Sequence, residues 1–166
     1  MTLNRIPDNV ARHAGLVMAQ AASIASVLEV GELICPFAVI TKDENRQSIE
    51  FEAATQDEAV SKGWDSFATL KDQVDIWSLA REGLQPGPDG RVDVLVVAAW
   101  THGMMEPAVF IQRFSPTANG EFSLLGPIAI QDQPLSEVDR IAASFSEGIQ
   151  AHPKGHLWAT WHRGKD

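Results

Sequence analysis

The chain has 166 residues, of which 45% are hydrophobic and 21% charged, a composition typical of one folded domain and not of a disordered protein. Its formal net charge of −9 disfavours nucleic acid as a partner, because that binding depends on Lys and Arg side chains that neutralise phosphates. A basic protein partner suits this charge, and residues 29–93 alone carry −8 of it, with fourteen acidic residues against six Lys or Arg. We therefore expect a single domain over residues 1–166.

A helix is predicted to begin at Asp8 or Asn9, which are good N-cap residues, and to end near Gly31. Its apolar residues recur at spacings of three and four and form one stripe: Val10, Ala14, Val17, Ala21, Ile24 and Leu28. The stripe is rich in alanine, so it suits either a dimer-forming helix or a helix packed on its own sheet. The segment has too few bulky apolar residues for a membrane span, and no membrane association is expected.

A hairpin and a second helix are predicted next. The first strand covers residues 33–41 and the second covers residues 47–54, where apolar and polar side chains alternate. Thr55 and Glu58 form a capping box that opens the helix. The apolar residues that follow continue the helical spacing as far as Leu84: Val60, Trp64, Phe67, Leu70, Val74, Trp77 and Leu84. The stretch from Gly83 to Gly90 is typical of a loop.

The stretch from Arg91 to Phe114 predicts a central hairpin, because its first strand is apolar on both alternations except at Asp93. A fifth strand over Phe122 to Gln131 is interrupted by Gly126-Pro127, and a third helix follows Pro134. The order is α-β-β-α-β-β-β-α. We predict an α+β domain with a mostly antiparallel five-stranded sheet and three helices.

Two groups capable of chemistry, His102 and Glu106, lie in the turn of the central hairpin. A carboxylate beside a histidine can raise the pKa of the histidine and position it as a general acid or base. The simpler interpretation is a turn histidine in solvent. The single cysteine, Cys35, excludes an internal disulfide, and its apolar neighbours indicate a buried structural thiol. No motif for a cofactor is present, and none is expected.

The C-terminal tail, residues 152–166, contains three histidines and two tryptophans. His152, His156 and His162 are weak candidates for zinc ligands, because Pro153 and Gly155 interrupt any regular helical spacing. The tail's tryptophans, together with the one in the central strand, are candidate anchors of a protein interface, in a homodimer or with another protein: Trp100, Trp158 and Trp161.

The segment that runs from Gly31-Glu32-Leu33 through Pro36-Phe37-Ala38 and ends at His102-Gly103 resembles a group of small bacterial α+β proteins. These share a Pro-Phe-Gly or Pro-Phe-Ala strand start and this order of elements. The resemblance covers residues 31–127 and implies a fold without implying catalytic residues, since the group has no established activity. It leaves the role of the tail open.

From these observations we expect a non-enzymatic binding or protein-interaction protein of a bacterial cytoplasm, with an inhibitor of a basic toxin as one narrower form. A reducing compartment is the simpler assumption for a chain with one cysteine. The alternative is a small-molecule enzyme or ligand-binding domain that uses His102 and Glu106. A deep pocket where both side chains converge would favour the alternative.

Overall fold

The computed structural model describes residues 5–88, 90–117 and 120–163. Within these ranges the chain forms four α-helices and six strands, with a 3₁₀ turn at Gly155–Leu157. In chain order the elements are α1 (Asp8–Ala25), β1 (Phe37–Lys42), β2 (Asn45–Glu50), α2 (Gln56–Leu70), β3 (Ile76–Gly87), β4 (Gly90–Thr101), β5 (Ala108–Ser115), β6 (Ser123–Ile130), α3 (Leu135–Ala151) and α4 (Trp158–Arg163). The predicted α+β class with an antiparallel sheet is confirmed.

The predicted count of five strands and three helices is wrong. The second helix ends at Leu70. Of the apolar residues predicted to continue it, Val74 lies in the connection that follows, whereas Trp77 and Leu84 belong to β3, which also includes most of the predicted loop from Gly83 onward. The tail forms the fourth helix, so the order is α-β-β-α-β-β-β-β-α-α. The predicted helix extended into β3 because Trp77 continues the helical spacing of α2 and also fits the alternation of a strand.

The six strands form one antiparallel sheet in the order β2-β1-β3-β4-β5-β6. The long hairpin of β3 and β4 lies in the middle, and its register pairs Trp77 with Trp100. The predicted central position of β4 is therefore confirmed. Thr55 also caps α2 as predicted, since its side chain accepts a hydrogen bond from the Glu58 N–H.

One face of the sheet, here called the α1/α3 face, is covered by two helices packed against each other. His13 of α1 bonds to Ser78 of β3, and Phe145 of α3 stacks on Phe110 of β5. Two glycines allow the helices to approach to backbone contact. A Cβ added to Gly15 would overlap a carbonyl of α3, and a Cβ added to Gly148 would overlap a carbonyl of α1.

The opposite face, the α2 face, carries a single helix that lies along β3. A Cβ added to Gly63 would come within 2.6 Å of the Leu79 side chain, which shows how closely α2 approaches this strand. Further along, Phe67 packs on Trp77 and meets Trp100 edge to face. This helix therefore covers the β3 side of the face and extends little further.

The tail packs on the chain's own edge strand. Trp161 of α4 meets Phe122 edge to face at 5.6 Å, just before β6, and His162 lies within hydrogen-bond distance of the Gly126 carbonyl. Gly126 itself has a positive φ of 70°, in keeping with the predicted irregularity of this strand. Among the described residues no helix is both long and apolar enough to cross a membrane.

Candidate binding cleft beside α2

A cleft of about 290 Å³ opens on the α2 face where the cover of the helix stops; we call it the inner cleft. Four side chains of β4 and β5 form an apolar cluster in its floor: Val94, Val96, Val109 and Ile111. This cluster is separate from the main core of the protein. The indole of Trp64 borders the cleft from α2 and is 39% exposed, so one wall is a large aromatic surface within reach of a ligand.

Strand alternation explains why this floor is apolar. β4 has apolar residues on both alternations, so its even-numbered residues face α2 while Leu95 and Val97 face the α1/α3 layer. Val96 lies between Arg81 of β3 and Ile111 of β5 in the register. The same sequence feature that marks β4 as a central strand thus also supplies an apolar floor on the half of the face that α2 leaves open.

Among the residues that the structure describes, Arg81 is the only charged one that lines the inner cleft. Its guanidinium lies over Gly83, because a Cβ added there would come within 2.9 Å of the Arg81 Nη1 atom. It donates one hydrogen bond, to the Glu82 carbonyl at 3.3 Å, and makes no ion pair within the described part of the chain. The group therefore has N–H donors that no described protein carboxylate uses.

Two further clefts border Trp64 and continue the same surface. The outer cleft, about 550 Å³, lies toward the start of α2 and is lined by Asp57, Asp93 and Arg81 among others. The end cleft, about 390 Å³, lies beyond Val109 and includes Glu106 and Asp132. Acidic side chains thus border the surface at both ends, whereas the described lining of the inner cleft contains none.

Asp93, the one charge predicted on the central strand, is the fourth residue of β4 and is half-buried. Burial raises the pKa of its carboxyl. Its neighbour Glu82 is more deeply buried and accepts a hydrogen bond from the Ile34 N–H at 3.0 Å. Burial also raises the pKa of Glu82, with Asp93 as a further contributor.

In the hairpin turn that carries His102 and Glu106, the histidine ring is held in place by contacts with its own chain. The His102 Nε2 atom lies 2.8 Å from the Val74 carbonyl oxygen, to which it donates, and the ring packs edge to face on Trp100. Glu106 lines the end cleft, and the described lining of that cleft does not include His102. No described cleft is lined by both side chains, and the converging pocket expected for an active site is not seen.

The three tryptophans predicted as interface anchors lie in different surroundings. Trp100 is 8% exposed, and its indole N–H donates to the Met104 carbonyl. Trp158 and Trp161 are partly buried against the chain's own core. Their role in an interface stays a prediction.

The tail histidines lie close to backbone groups. His152 Nδ1 accepts from the Lys154 N–H, and both ring nitrogens of His162 face carbonyl oxygens. His156 is exposed. Within the described ranges no group of three or more His, Cys, Asp or Glu side chains could hold a metal ion.

Cys35 is half-buried, with its thiol 3.4 Å from the Phe51 carbonyl oxygen. Burial raises the pKa of the thiol, and the nearby Glu50 raises it further. A raised pKa disfavours the thiolate, which is the reactive form. This agrees with the structural role that its apolar sequence context indicates.

The sequence interpretation missed a buried polar network around His13. The Nδ1 atom of this residue lies 2.6 Å from the Ser78 hydroxyl, and its Nε2 atom lies 3.0 Å from the Thr41 hydroxyl. Burial lowers the pKa of His13 to about 4, with Arg46 as a smaller contributor. Ser78 is fully buried, so this Ser–His pair joins α1 to the sheet and is closed to a substrate. The signal was available, since His13 lies on the apolar stripe three residues after Val10.

No family model, curated protein or solved structure matches the chain. The resemblance to small bacterial proteins therefore rests on the residues of the chain alone.

Proposed function

We propose that this protein is a non-enzymatic binding protein of a bacterial cytoplasm whose binding site is the inner cleft beside α2. The observation that carries the proposal is the apolar cluster of Val94, Val96, Val109 and Ile111, which lines an open cleft while α1 and α3 cover the other face. Ligand sites are typically concave and largely apolar with a few polar groups that orient the ligand. The inner cleft combines such a floor with one aromatic wall and one cation.

The arrangement of the hairpin turn supports binding over catalysis at His102 and Glu106. A general base must reach the proton that it abstracts, whereas the His102 ring is held by the Val74 carbonyl and by Trp100. The homodimer and the basic protein partner stay separate predictions, and neither is needed for a ligand in the inner cleft.

Native purification followed by mass spectrometry of co-purifying small molecules and proteins tests the proposal. The informative variant is Val109→Trp, because Val109 borders both the inner and the end clefts and a larger side chain would fill them. The matched control is Val27→Trp, at a position that is 79% exposed after the end of α1. Both variants first need wild-type circular dichroism.

We expect one or more species to be enriched on the wild type and on Val27→Trp and to be lost on Val109→Trp. Retention of the same species on Val109→Trp would place the binding site elsewhere and contradict the proposal. Turnover of a retained species that is abolished by His102→Ala would favour the enzyme alternative instead.

A further inference from the structure

We infer that the inner cleft binds a small carboxylic acid with an apolar body, the carboxylate on Arg81 and the body on the valine-rich floor. The inference rests on the proposed function and specifies the chemistry of its ligand. Three observations carry it: the unpaired donors of Arg81, the apolar floor, and the absence of acidic side chains from the described lining. An acidic protein with a net charge of −9 thus presents, among its described residues, a single cation beside the apolar floor of this cleft.

The position of Arg81 favours a planar anion. A guanidinium presents N–H donors in a fixed plane that matches both oxygens of a carboxylate. Gly83 leaves the space in which this guanidinium lies, next to the floor and at the junction of the inner and outer clefts. A ligand head group at this junction can meet the donors while its apolar body extends over Val96 and Ile111.

The surroundings also decide against other anions. A phosphate group carries more charge and needs several donors, whereas the described lining of the inner cleft contains one cation. Glu82 also lines the outer cleft, but its carboxylate accepts from the Ile34 N–H and makes no ion pair with Arg81 in the described part of the chain. The volume of the inner cleft, about 290 Å³, lies just below the range of about 300–1,000 Å³ that is typical of small-molecule sites. A monocarboxylate with a short apolar body fits these limits.

Arg113 offers a matched control on the same face of the sheet. It lies two positions beyond Ile111 on β5, and its guanidinium lies over Gly126 as that of Arg81 lies over Gly83. It is exposed and does not line the inner cleft. Arg113→Gln therefore removes one positive charge from this face without changing the cleft, whereas Arg81→Gln removes the charge inside it.

The experiment titrates octanoate, octanamide and octylamine into the wild-type protein, Arg81→Gln and Arg113→Gln, with calorimetry and the indole N–H signal of Trp64 in NMR spectra as readouts. We expect saturable binding of octanoate to the wild type, with octanamide at least about tenfold weaker because it lacks the charge-assisted hydrogen bonds. Arg81→Gln should lower octanoate affinity by about tenfold or more and leave octanamide unchanged. Arg113→Gln should leave octanoate affinity within about twofold, since an exposed charge contributes little.

Three results would overturn the inference. Equal binding of octanoate and octanamide would show an apolar site without carboxylate preference, and the proposed function would stand. An equal loss of octanoate affinity in Arg81→Gln and Arg113→Gln would show that positive charge on this face attracts the carboxylate in general, without a specific site at Arg81. If the wild-type protein shows no saturable binding of octanoate at millimolar concentration, and if octanoate does not change its unfolding midpoint, this ligand class is excluded. The co-purification experiment would then decide the proposed function independently.

Discussion

The buried histidine of α1 makes stability depend on pH in a way that can be calculated. His13 is 7% exposed, and its two ring nitrogens face the hydroxyls of Ser78 and Thr41. A neutral imidazole suits both, because one nitrogen donates and the other accepts while each hydroxyl can do either. Protonation would bring a charge into this dry site, which is why burial lowers the pKa of His13 to about 4.

The sign of the effect follows from which state binds the proton. The ordinary pKa of 6.5 applies to the unfolded chain, so between pH 6.5 and pH 4 the unfolded state is protonated at His13 and the folded state is not. The contribution of the neutral His13 to the free energy of unfolding is fully present above about pH 6.5 and is lost as the pH falls toward 4. At 1.36 kcal/mol per pKa unit the full loss is about 3 kcal/mol, of which about 2 kcal/mol is lost by pH 5.

Other groups titrate in the same range, and a variant separates them from His13. Glu82 and Asp93 have raised pKa values, so their protonation stabilises the folded state as the pH falls and opposes the effect. Burial lowers the pKa of His152, which acts in the same direction as His13. His13→Gln keeps a side chain that can donate and accept hydrogen bonds but does not titrate. The difference in pH dependence between wild type and variant isolates the single histidine.

Urea unfolding followed by fluorescence at pH 8, 6 and 5 provides the free energy of unfolding for both proteins. We expect the wild type to lose about 2 kcal/mol more than His13→Gln between pH 8 and pH 5. NMR titration of the histidine ring protons, with the His13 signal assigned by its loss in the variant, measures the pKa directly. Parallel pH profiles of the two proteins, or a pKa of His13 near 6.5, would refute the argument from burial.

Three further predictions concern packing. Gly15→Ala should lower the free energy of unfolding by about 3 kcal/mol or more, measured by urea unfolding, because the added Cβ overlaps a carbonyl of α3; a change below 1 kcal/mol would show that the helices can separate cheaply. Val97→Asp should prevent folding, whereas Val96→Asp in the floor of the inner cleft should be less destabilising because this floor borders an open cleft, and equal soluble yields would contradict this two-sided view of β4. Trp158→Ala combined with Trp161→Ala should weaken any homodimer that uses the tail, and a wild-type mass of 18.1 kDa in sedimentation would exclude that dimer.

The sequence pattern predicted the centre of the sheet correctly and failed beside it. β4 was recognisable because its apolar run contains too few polar residues for a strand with one face in solvent. β3 was not, because Phe67, Val74 and Trp77 keep a helical spacing across the end of α2, so short apolar intervals fit both periods. Pairing with β1 and β4 decides the conformation there, and such pairing is not visible in a local pattern.

The candidate site could not be predicted from local sequence patterns for a related reason. The inner cleft is lined by residues from three strands and one helix and by Gln131, which follows β6, and its lining depends on the register between the strands. Arg81 was concealed inside the segment predicted as helical. His13, in contrast, could have been detected, since a histidine on an apolar stripe requires polar partners when it is buried.

The difference between the two sheet faces follows from the order of the elements. α1 and α3 flank the sheet-forming segment and meet on one face, where Gly15 and Gly148 let their backbones touch and the His13 network joins the layer to β3. α2 is inserted between β2 and β3, so it returns along β3 and leaves the adjacent half of the opposite face without a helix. The main core includes the α1/α3 layer and also Trp77, Leu79 and Trp100 beneath α2, whereas the valine-rich floor of the inner cleft forms a separate cluster. Under the proposed function, a ligand on this floor would therefore contact a cluster that lies outside the main core.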